Sequence, residues 1–140
     1  MESNTKSNKY NIQKELNRQV WTYRLKGWWL SMMLSNIRDL LLTVTLNTFH
    51  YEATKKPDKY IVWAEDGQSS SSFSDNKMTD QAIQGTIDYF TTEEFDTNFE
   101  LIQEKLNSIE LSWKLSSIQR EPITKYIHYE WVWEVNNTVG

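Results

Sequence analysis

A change in hydrophobic period between Gln81 and Leu106 constrains the fold of this chain more than any other feature of its sequence. Up to Phe90, apolar and polar side chains alternate, which is typical of a strand with one apolar face and one polar face. Beyond Phe90 the apolar positions step by four, three and four, which places them on one side of a helix. These positions are Phe95, Phe99, Ile102 and Leu106. A strand that continues directly into a helix predicts the centre of a small α+β domain.

Thr91 and Glu94 form a predicted capping box at the start of this helix. Glu94 follows Thr91 by three residues, the spacing at which the two side chains satisfy free backbone N–H groups. Burial of each apolar side chain contributes about 1.5–3 kcal/mol, so packing rather than intrinsic propensity would stabilise the helix. We therefore expect the helix to begin close to Thr91 and to bury its four apolar side chains.

The remaining elements are predicted from shorter patterns. Apolar residues at helical spacing over 33–44 predict a first amphipathic helix. Extended or alternating runs predict strands at 49–52, 59–66, 78–90, 111–115 and 126–135. The apolar side chain of Ile118 falls on the other parity, which indicates a bulge near Ser116 and Ser117.

These elements give the order α-β-β-β-α-β-β, with hairpin connections at 67–76 and 120–125. Hairpins join antiparallel strands, so antiparallel pairing should dominate. The prediction is an α+β fold, with a small sheet of about five strands, mostly antiparallel or mixed, and two packing helices.

Charge and composition change near residue 31. Residues 1–31 have a net charge of +4, and the whole chain carries −4, which leaves −8 on residues 32–140. Residues 1–20 are polar with almost no apolar period, which predicts disorder. Residues 21–31 are basic and aromatic, and two interpretations are open: an arm for a membrane surface or nucleic acid, or an extension unrelated to the fold.

We favour the second interpretation and expect residues 1–31 to be an N-terminal extension or a mis-called start, since Met32 and Met33 follow directly. A single α+β domain would then span residues 32–135, and residues 136–140 would form a polar tail.

Composition excludes several kinds of site. The chain has no cysteine, and therefore no disulfide framework, thiolate nucleophile or zinc–thiolate centre. The acidic body lacks the Lys and Arg path of a nucleic-acid groove. No apolar run approaches the roughly 20 residues that cross a bilayer. We expect neither nucleic-acid specificity nor membrane association.

No set of residues predicts catalysis. The four glycines are isolated, so there is no Gly-rich phosphate loop. His50 and His128 are interpreted as solvated or hydrogen-bonded surface side chains rather than general bases. Glu65 and Asp66 are neighbours on a strand and point to opposite faces, so they cannot form an acid–base dyad.

Two acidic features remain. Glu93, Glu94 and Asp96 could suggest a cation site, but acids near a helix N-terminus are stabilised by the macrodipole, and this explanation suffices. Asp88, on the polar face of the central strand, is the acid to test first if the protein were an enzyme. We predict no catalytic residue, no cofactor and no metal ligand.

Two segments are candidate contacts with a partner. Tyr129, Trp131 and Trp133 share one face of the last strand, either as core or as a partly exposed subunit interface, because two helices are few for two sheet faces. The serine-rich loop 67–76 is long for a hairpin connection, so it is either mobile or a binding arm. The candidate contact residues are Ser69, Ser70, Ser71, Ser72, Phe73, Asp75, Trp131 and Trp133.

Five runs, taken in order, resemble the small tail-completion proteins (tail terminators, or tail-to-head joining proteins) of long-tailed phages and Gram-positive prophages. The runs are 59–66, the serine loop with Asp75 and Asn76, 84–91, Phe99 with 102–106, and 127–135. Their order and spacing carry the resemblance, which spans about Met33 to Val135 and leaves residues 1–31 outside it.

The resemblance implies a non-enzymatic α+β subunit that forms a ring, expected to be hexameric, on the head-proximal end of the tail tube. The implied partners are other copies of the chain, the tail-tube protein and the head connector or neck protein. The protein would reside in the virion at the tail–head junction, after assembly in the bacterial host cytoplasm. The alternatives are a head-closure or neck protein of the same phage region, and a small α+β enzyme or ligand-binding domain that uses Asp88 or His128.

Overall fold

The structure is a computed structural model and describes residues 11–15, 18, 28–68 and 82–136. The chain divides into two compact units, Met1–Leu34 and Ser35–Gly140. In the first unit, residues 11–15 and 18 are helical, and the side chains of Trp29 and Met33 are buried. The other residues of the segment 1–20, for which disorder is predicted, lie outside the described residues.

The second unit contains the five-stranded sheet. The predicted boundary after residue 31 falls inside a helix, Trp29–Leu42. The elements are α1 (Trp29–Leu42), β1 (Thr48–His50), β2 (Lys59–Gln68), β3 (Ala82–Thr91), α2 (Asn98–Leu106), β4 (Ser112–Arg120) and β5 (Ile127–Asn136). In the described residues, no helix has both the length and the apolar character needed to span a membrane.

The strand order is β1-β2-β3-β5-β4. Strand β1 runs parallel to β2, and the other three pairs are antiparallel. The predicted α+β fold, its element order and the mixed sheet are confirmed. The predicted bulge is also confirmed, because the β4–β5 register shifts between Leu115 and Ser117.

One face of the sheet forms the core. Cross-strand register places Ile61 opposite Tyr89, and Tyr89 opposite Tyr129, so all three side chains share this face. Helix α2 packs there: the Phe99 ring lies 4.6 Å from that of Tyr129, and Trp131 Nε1 donates a 3.2 Å hydrogen bond to Gln103 Oε1. The buried apolar side chains of this face are Ile61, Trp63, Ile87, Tyr89, Tyr129, Trp131, Trp133 and Val135.

The opposite face, which we call the open face, is only partly covered. Its side chains are half-buried, and Tyr60 at one end of the face is fully buried. The half-buried members on β2, β3 and β5 are Val62, Ala64, Gln84, Thr86, Asp88, Phe90, His128, Glu130, Val132 and Glu134. Polar and titratable groups of the sheet are therefore concentrated on this face.

The predicted start of the second helix is wrong. Thr91 is the last residue of β3, and α2 begins seven residues later, at Asn98. The Thr91 hydroxyl accepts a hydrogen bond from the backbone N–H of Glu93, so it is not part of a helix cap. Phe95 is 88% exposed and has a φ of 59°, a left-handed conformation that a continuous helix does not contain.

The side chain of Asp96 fixes the turn that connects β3 to α2. Its buried carboxylate accepts hydrogen bonds from Tyr89 OH at 2.6 Å, Thr91 Oγ1 at 2.7 Å and the Asn98 backbone N–H at 2.9 Å. Lys59 Nζ lies 3.4 Å away. Burial would raise the pKa of Asp96, but these hydrogen bonds and the Lys59 charge outweigh it and lower the pKa below its usual value. The buried carboxylate requires these donors, and they fix the turn between strand and helix.

Candidate functional site on the open face

A row of stacked rings crosses the open face. Cross-strand register places Phe90 between Tyr60 on β2 and His128 on β5. The ring centroids are 4.6 Å apart for Tyr60 and Phe90 and 4.3 Å apart for Phe90 and His128, in both cases nearly parallel. Tyr126 stands almost perpendicular to the row, 5.6 Å from Tyr60. The imidazole of His128 is therefore held in a fixed plane by an aromatic neighbour.

A cavity of about 480 Å³ lies against this row. Its aromatic lining is Tyr60, Phe90 and Tyr126, and its acidic lining is Glu52, Asp88 and Glu121. Lys56 is the basic residue among the lining side chains. The cavity is therefore aromatic and predominantly acidic, which favours a cationic occupant over an anionic one.

Tyrosine hydroxyls fix the walls of the cavity. Tyr126 OH donates to the backbone carbonyl of Pro57 at 2.7 Å and lies 3.0 Å from that of Lys56. Burial raises the pKa of Tyr60 to about 12, so this side chain is neutral near physiological pH. The Tyr60 wall is thus neutral, and the negative charge of the cavity comes from the carboxylates.

Asp88 and His128 form the central polar contact of the open face. His128 Nε2 lies 2.6 Å from Asp88 Oδ1, with both side chains about four-fifths buried. This hydrogen bond raises the pKa of His128 because it favours the protonated imidazolium, and it outweighs the opposing effect of partial burial. The charges of Glu130 and Glu121 act in the same direction.

Glu130 completes a cluster of three potential ligands. One ligating atom from each of Asp88, His128 and Glu130 lies within 4.8 Å of those of the other two. Asp88 and His128 were singled out separately from the sequence, but their proximity was not predicted and Glu130 was not singled out. The available signal was weak: Glu130 shares the polar face of β5 with His128, but nothing local showed that β5 lies beside β3.

A second histidine–carboxylate pair joins β1 to β2. His50 Nε2 lies 2.8 Å from Glu65 Oε2, its ring stacks on Trp63 at 4.0 Å, and Tyr51 OH also donates to Glu65. Burial would raise the pKa of Glu65, but the hydrogen bonds from Tyr51 and His50 lower it below its usual value. The side chain of His50 is 39% exposed, which agrees with the interpretation of His50 as a hydrogen-bonded surface residue.

Of the predicted partner-contact residues, the structure describes only the two tryptophans of β5. Ser69, Ser70, Ser71, Ser72, Phe73 and Asp75 lie outside the described residues. Trp131 and Trp133 are 0% and 1% exposed and belong to the core. The core interpretation of the aromatic band is therefore the correct one, and the two indoles present no surface to a partner.

Exposed apolar side chains are found instead near the outer strand β4. Among the residues that the structure describes, this nine-residue strand pairs only with β5, and no described strand pairs with the backbone groups of its other edge. Leu115 and Ile118 on the strand are 37% and 55% exposed, and Ile123 in the following turn is 95% exposed. The edge of β4 and these three side chains form what we call the β4 edge surface.

Comparison with known proteins gives no assignment. No protein-family model matches the chain, and no curated protein sequence matches it.

Proposed function

We propose that the chain is a structural subunit of a phage or prophage virion that forms a ring, terminates the tail tube and joins the tail to the head. The observation that carries this proposal is the β4 edge surface. A nine-residue outer strand with exposed Leu115 and Ile118 and a neighbouring exposed Ile123 is a surface suited to association with another protein. The α+β fold supports the proposal because it agrees with the fold class that the sequence resemblance implies.

A ring requires a heterologous interface, in which one surface of a subunit contacts a different surface of the next and the rotation closes. The β4 edge surface lies at one side of the sheet, and the short parallel strand β1 lies at the other. This arrangement gives each subunit two dissimilar edges. In the proposed ring, the β4 edge surface of one copy packs on the neighbouring copy, and the ring ends meet the tail tube and the head connector.

The proposed function needs no catalytic centre. A terminator acts by occupying the end of the tube and by presenting a docking surface to the filled head. A head-closure or neck protein of the same region would act through the same kinds of surface, and the two roles differ in which assembly intermediate accumulates when the protein is absent.

A second candidate is a small ligand-binding or catalytic domain. The observation that favours it is the hydrogen-bonded Asp88–His128 pair beside a cavity of about 480 Å³. Such a protein would act without other virion components, so the two candidates differ in where the protein is found.

Localisation in purified particles tests the proposed function. Particles induced from the source host would be analysed by mass spectrometry and by electron microscopy with gold-labelled antibody against this chain. We expect the chain in intact particles, with label concentrated where the tail meets the head. Absence of the chain from purified particles, or label restricted to the distal end of the tail, would reject the proposal.

A further inference from the structure

Two carboxylates oppose each other directly on the open face. Asp88 on β3 and Glu130 on β5 are register partners in the antiparallel pair. Side chains at such positions have Cβ atoms about 4.5–5.5 Å apart, and like charges there destabilise the pair. A cation between or beside the two carboxylates would reduce the repulsion between them.

The side chain of His128, when protonated, balances only part of the negative charge of Asp88 and Glu130. His128 pairs with Asp88 at 2.6 Å and supplies at most one positive charge against two negative charges. Within the described part of the chain, the Glu130 carboxylate has no hydrogen-bond or ion-pair partner. The cluster therefore has a surplus negative charge and a carboxylate whose oxygens are free to coordinate.

We propose that Asp88, His128 and Glu130 form a binding site for a divalent transition-metal ion of the zinc type. The three ligating atoms already lie within 4.8 Å of one another. Zinc binds imidazole nitrogen at about 2.0–2.1 Å and carboxylate oxygen at about 2.0–2.2 Å. Side-chain rotation about fixed strand positions brings the three atoms onto one ion, and the proton shared by Asp88 and His128 leaves as the ion enters.

The donor set selects the class of ion. One imidazole nitrogen with two carboxylates suits zinc and its first-row neighbours. Calcium requires about 6–8 oxygen ligands, and magnesium about six in near-ideal octahedral geometry. Two carboxylates also balance the charge of a divalent ion, so the filled site is neutral when His128 binds as the neutral imidazole.

The surroundings leave one coordination position open. Asp88 lines the cavity, so an ion bound to it faces space that a water molecule or an incoming donor can enter. The Phe90 ring stacks on His128 and orients its imidazole. This proposal stands on the open face alone and does not depend on the proposed virion function.

Zinc titration of the full chain, prepared without a histidine tag, tests the site. Isothermal titration calorimetry with ZnCl₂ near neutral pH is expected to give saturable binding of one ion per chain. Cobalt substitution is expected to give a visible absorption band from the bound ion. His128→Ala abolishes saturable binding, and Glu130→Gln weakens it at least about tenfold, since even outer-shell changes cost about 10–100-fold.

The matched control is His50→Gln, which removes the other histidine of the chain and breaks the His50–Glu65 pair while leaving the open face intact. It is expected to bind zinc as the unchanged protein does. Glu130→Gln keeps the size of the side chain and removes one of two opposed charges, so it remains folded, which circular dichroism verifies. The proposal is overturned if the unchanged protein shows no one-to-one binding, if Glu130→Gln or His128→Ala binds equally well, or if His50→Gln loses binding to the same extent.

Discussion

Gly85 lies directly under the indole ring of Trp133 on the buried face of the sheet. The two residues are register partners on β3 and β5, and a β-carbon at position 85 would overlap both the Trp133 ring and the backbone carbonyl oxygen of Ala64. Glycine is required here because the neighbouring backbone and a buried ring occupy the space of a side chain. The absence of a side chain at position 85 leaves room for Trp133, one of the two buried tryptophans of β5, to pack against the central strand.

Gly85→Ala is therefore expected to lower the free energy of unfolding by about 1–3 kcal/mol or more, the usual cost of overpacking. Urea denaturation followed by tryptophan fluorescence measures the change. The control is Gln84→Ala, a half-buried position on the other face of the same strand, for which we expect less than about 1 kcal/mol. Equal stability of Gly85→Ala and the unchanged protein would show that the sheet accommodates a side chain at this position.

Asp96→Asn is expected to lower the free energy of unfolding at pH 7 by about 2–3 kcal/mol, because a neutral amide replaces the buried, charged carboxylate that accepts the hydrogen bonds. The pKa of Asp96 is lowered in the folded state. Its contribution to stability is therefore present above the unfolded pKa of about 3.9 and is lost as pH falls through the folded value. Thermal melts of both proteins from pH 7 to pH 2 measure this loss.

The stability difference between Asp96→Asn and the unchanged protein should shrink as the pH is lowered below about 4. Asp58→Asn is the control, since the side chain of Asp58 is exposed, and it should track the unchanged protein at every pH. A difference between Asp96→Asn and the unchanged protein that stays constant down to pH 2 would contradict the assigned role of the charged carboxylate.

Glu130→Gln is expected to be more stable than the unchanged protein in the absence of zinc and less stable than it in the presence of zinc. In the presence of a chelator, removal of one opposed charge should raise the free energy of unfolding by about 0.2–1 kcal/mol. With zinc present, the unchanged protein gains stability through binding and the variant gains less. The unchanged protein is then the more stable of the two. Thermal melts with and without zinc test this, and Glu104→Gln on the exposed side of α2 should show no inversion.

Ile118→Lys is expected to impair self-association through the β4 edge surface while leaving the fold intact. Ile118 is 55% exposed, so the free energy of unfolding should change by less than about 1 kcal/mol. Light scattering at rising protein concentration should show larger assemblies for the unchanged chain than for Ile118→Lys. Gln119→Lys adds the same charge at the next position of β4 and should associate normally. Equal assembly of Ile118→Lys and Gln119→Lys would exclude this edge as the interface.

Local patterns predicted most of the secondary structure because burial of one sheet face imposes a period of two. Alternation in β3 and β5 identified Ile87, Tyr89, Trp131 and Trp133 as members of an apolar face, and all four are buried. The parity change at Ile118 located the β4 bulge for the same reason. These signals depend only on neighbouring residues, so the sequence carries them directly.

The helix start could not be predicted because a tertiary cluster determines it. Spacing from Phe95 to Leu106 suggested a continuous helix, but the donors around the Asp96 carboxylate come from Lys59, Tyr89 and Thr91 as well as from Asn98. Their convergence on one buried carboxylate holds the preceding turn, with Phe95 in a left-handed conformation. No local pattern shows this.

The candidate site depends on a pairing between distant segments. Helix α2 and strand β4 separate β3 from β5 along the chain, yet β5 inserts between β3 and β4 in the sheet. This insertion brings Asp88 opposite Glu130 and beside His128. Sequence analysis could place each residue on a polar strand face, but it could not show that the two strands are neighbours.

The central claim is that this chain terminates the tail tube. Its most direct test is disruption of the gene in the parent phage or prophage. The measurement is the length distribution of tails in the induced lysate by negative-stain electron microscopy, with the unchanged chain supplied in trans as the control. The account predicts full heads beside unattached tails of irregular and excessive length, restored to normal virions by the control. Detached tails of normal length would instead indicate a joining or head-closure role, and normal infectious virions without the gene would contradict a structural function altogether.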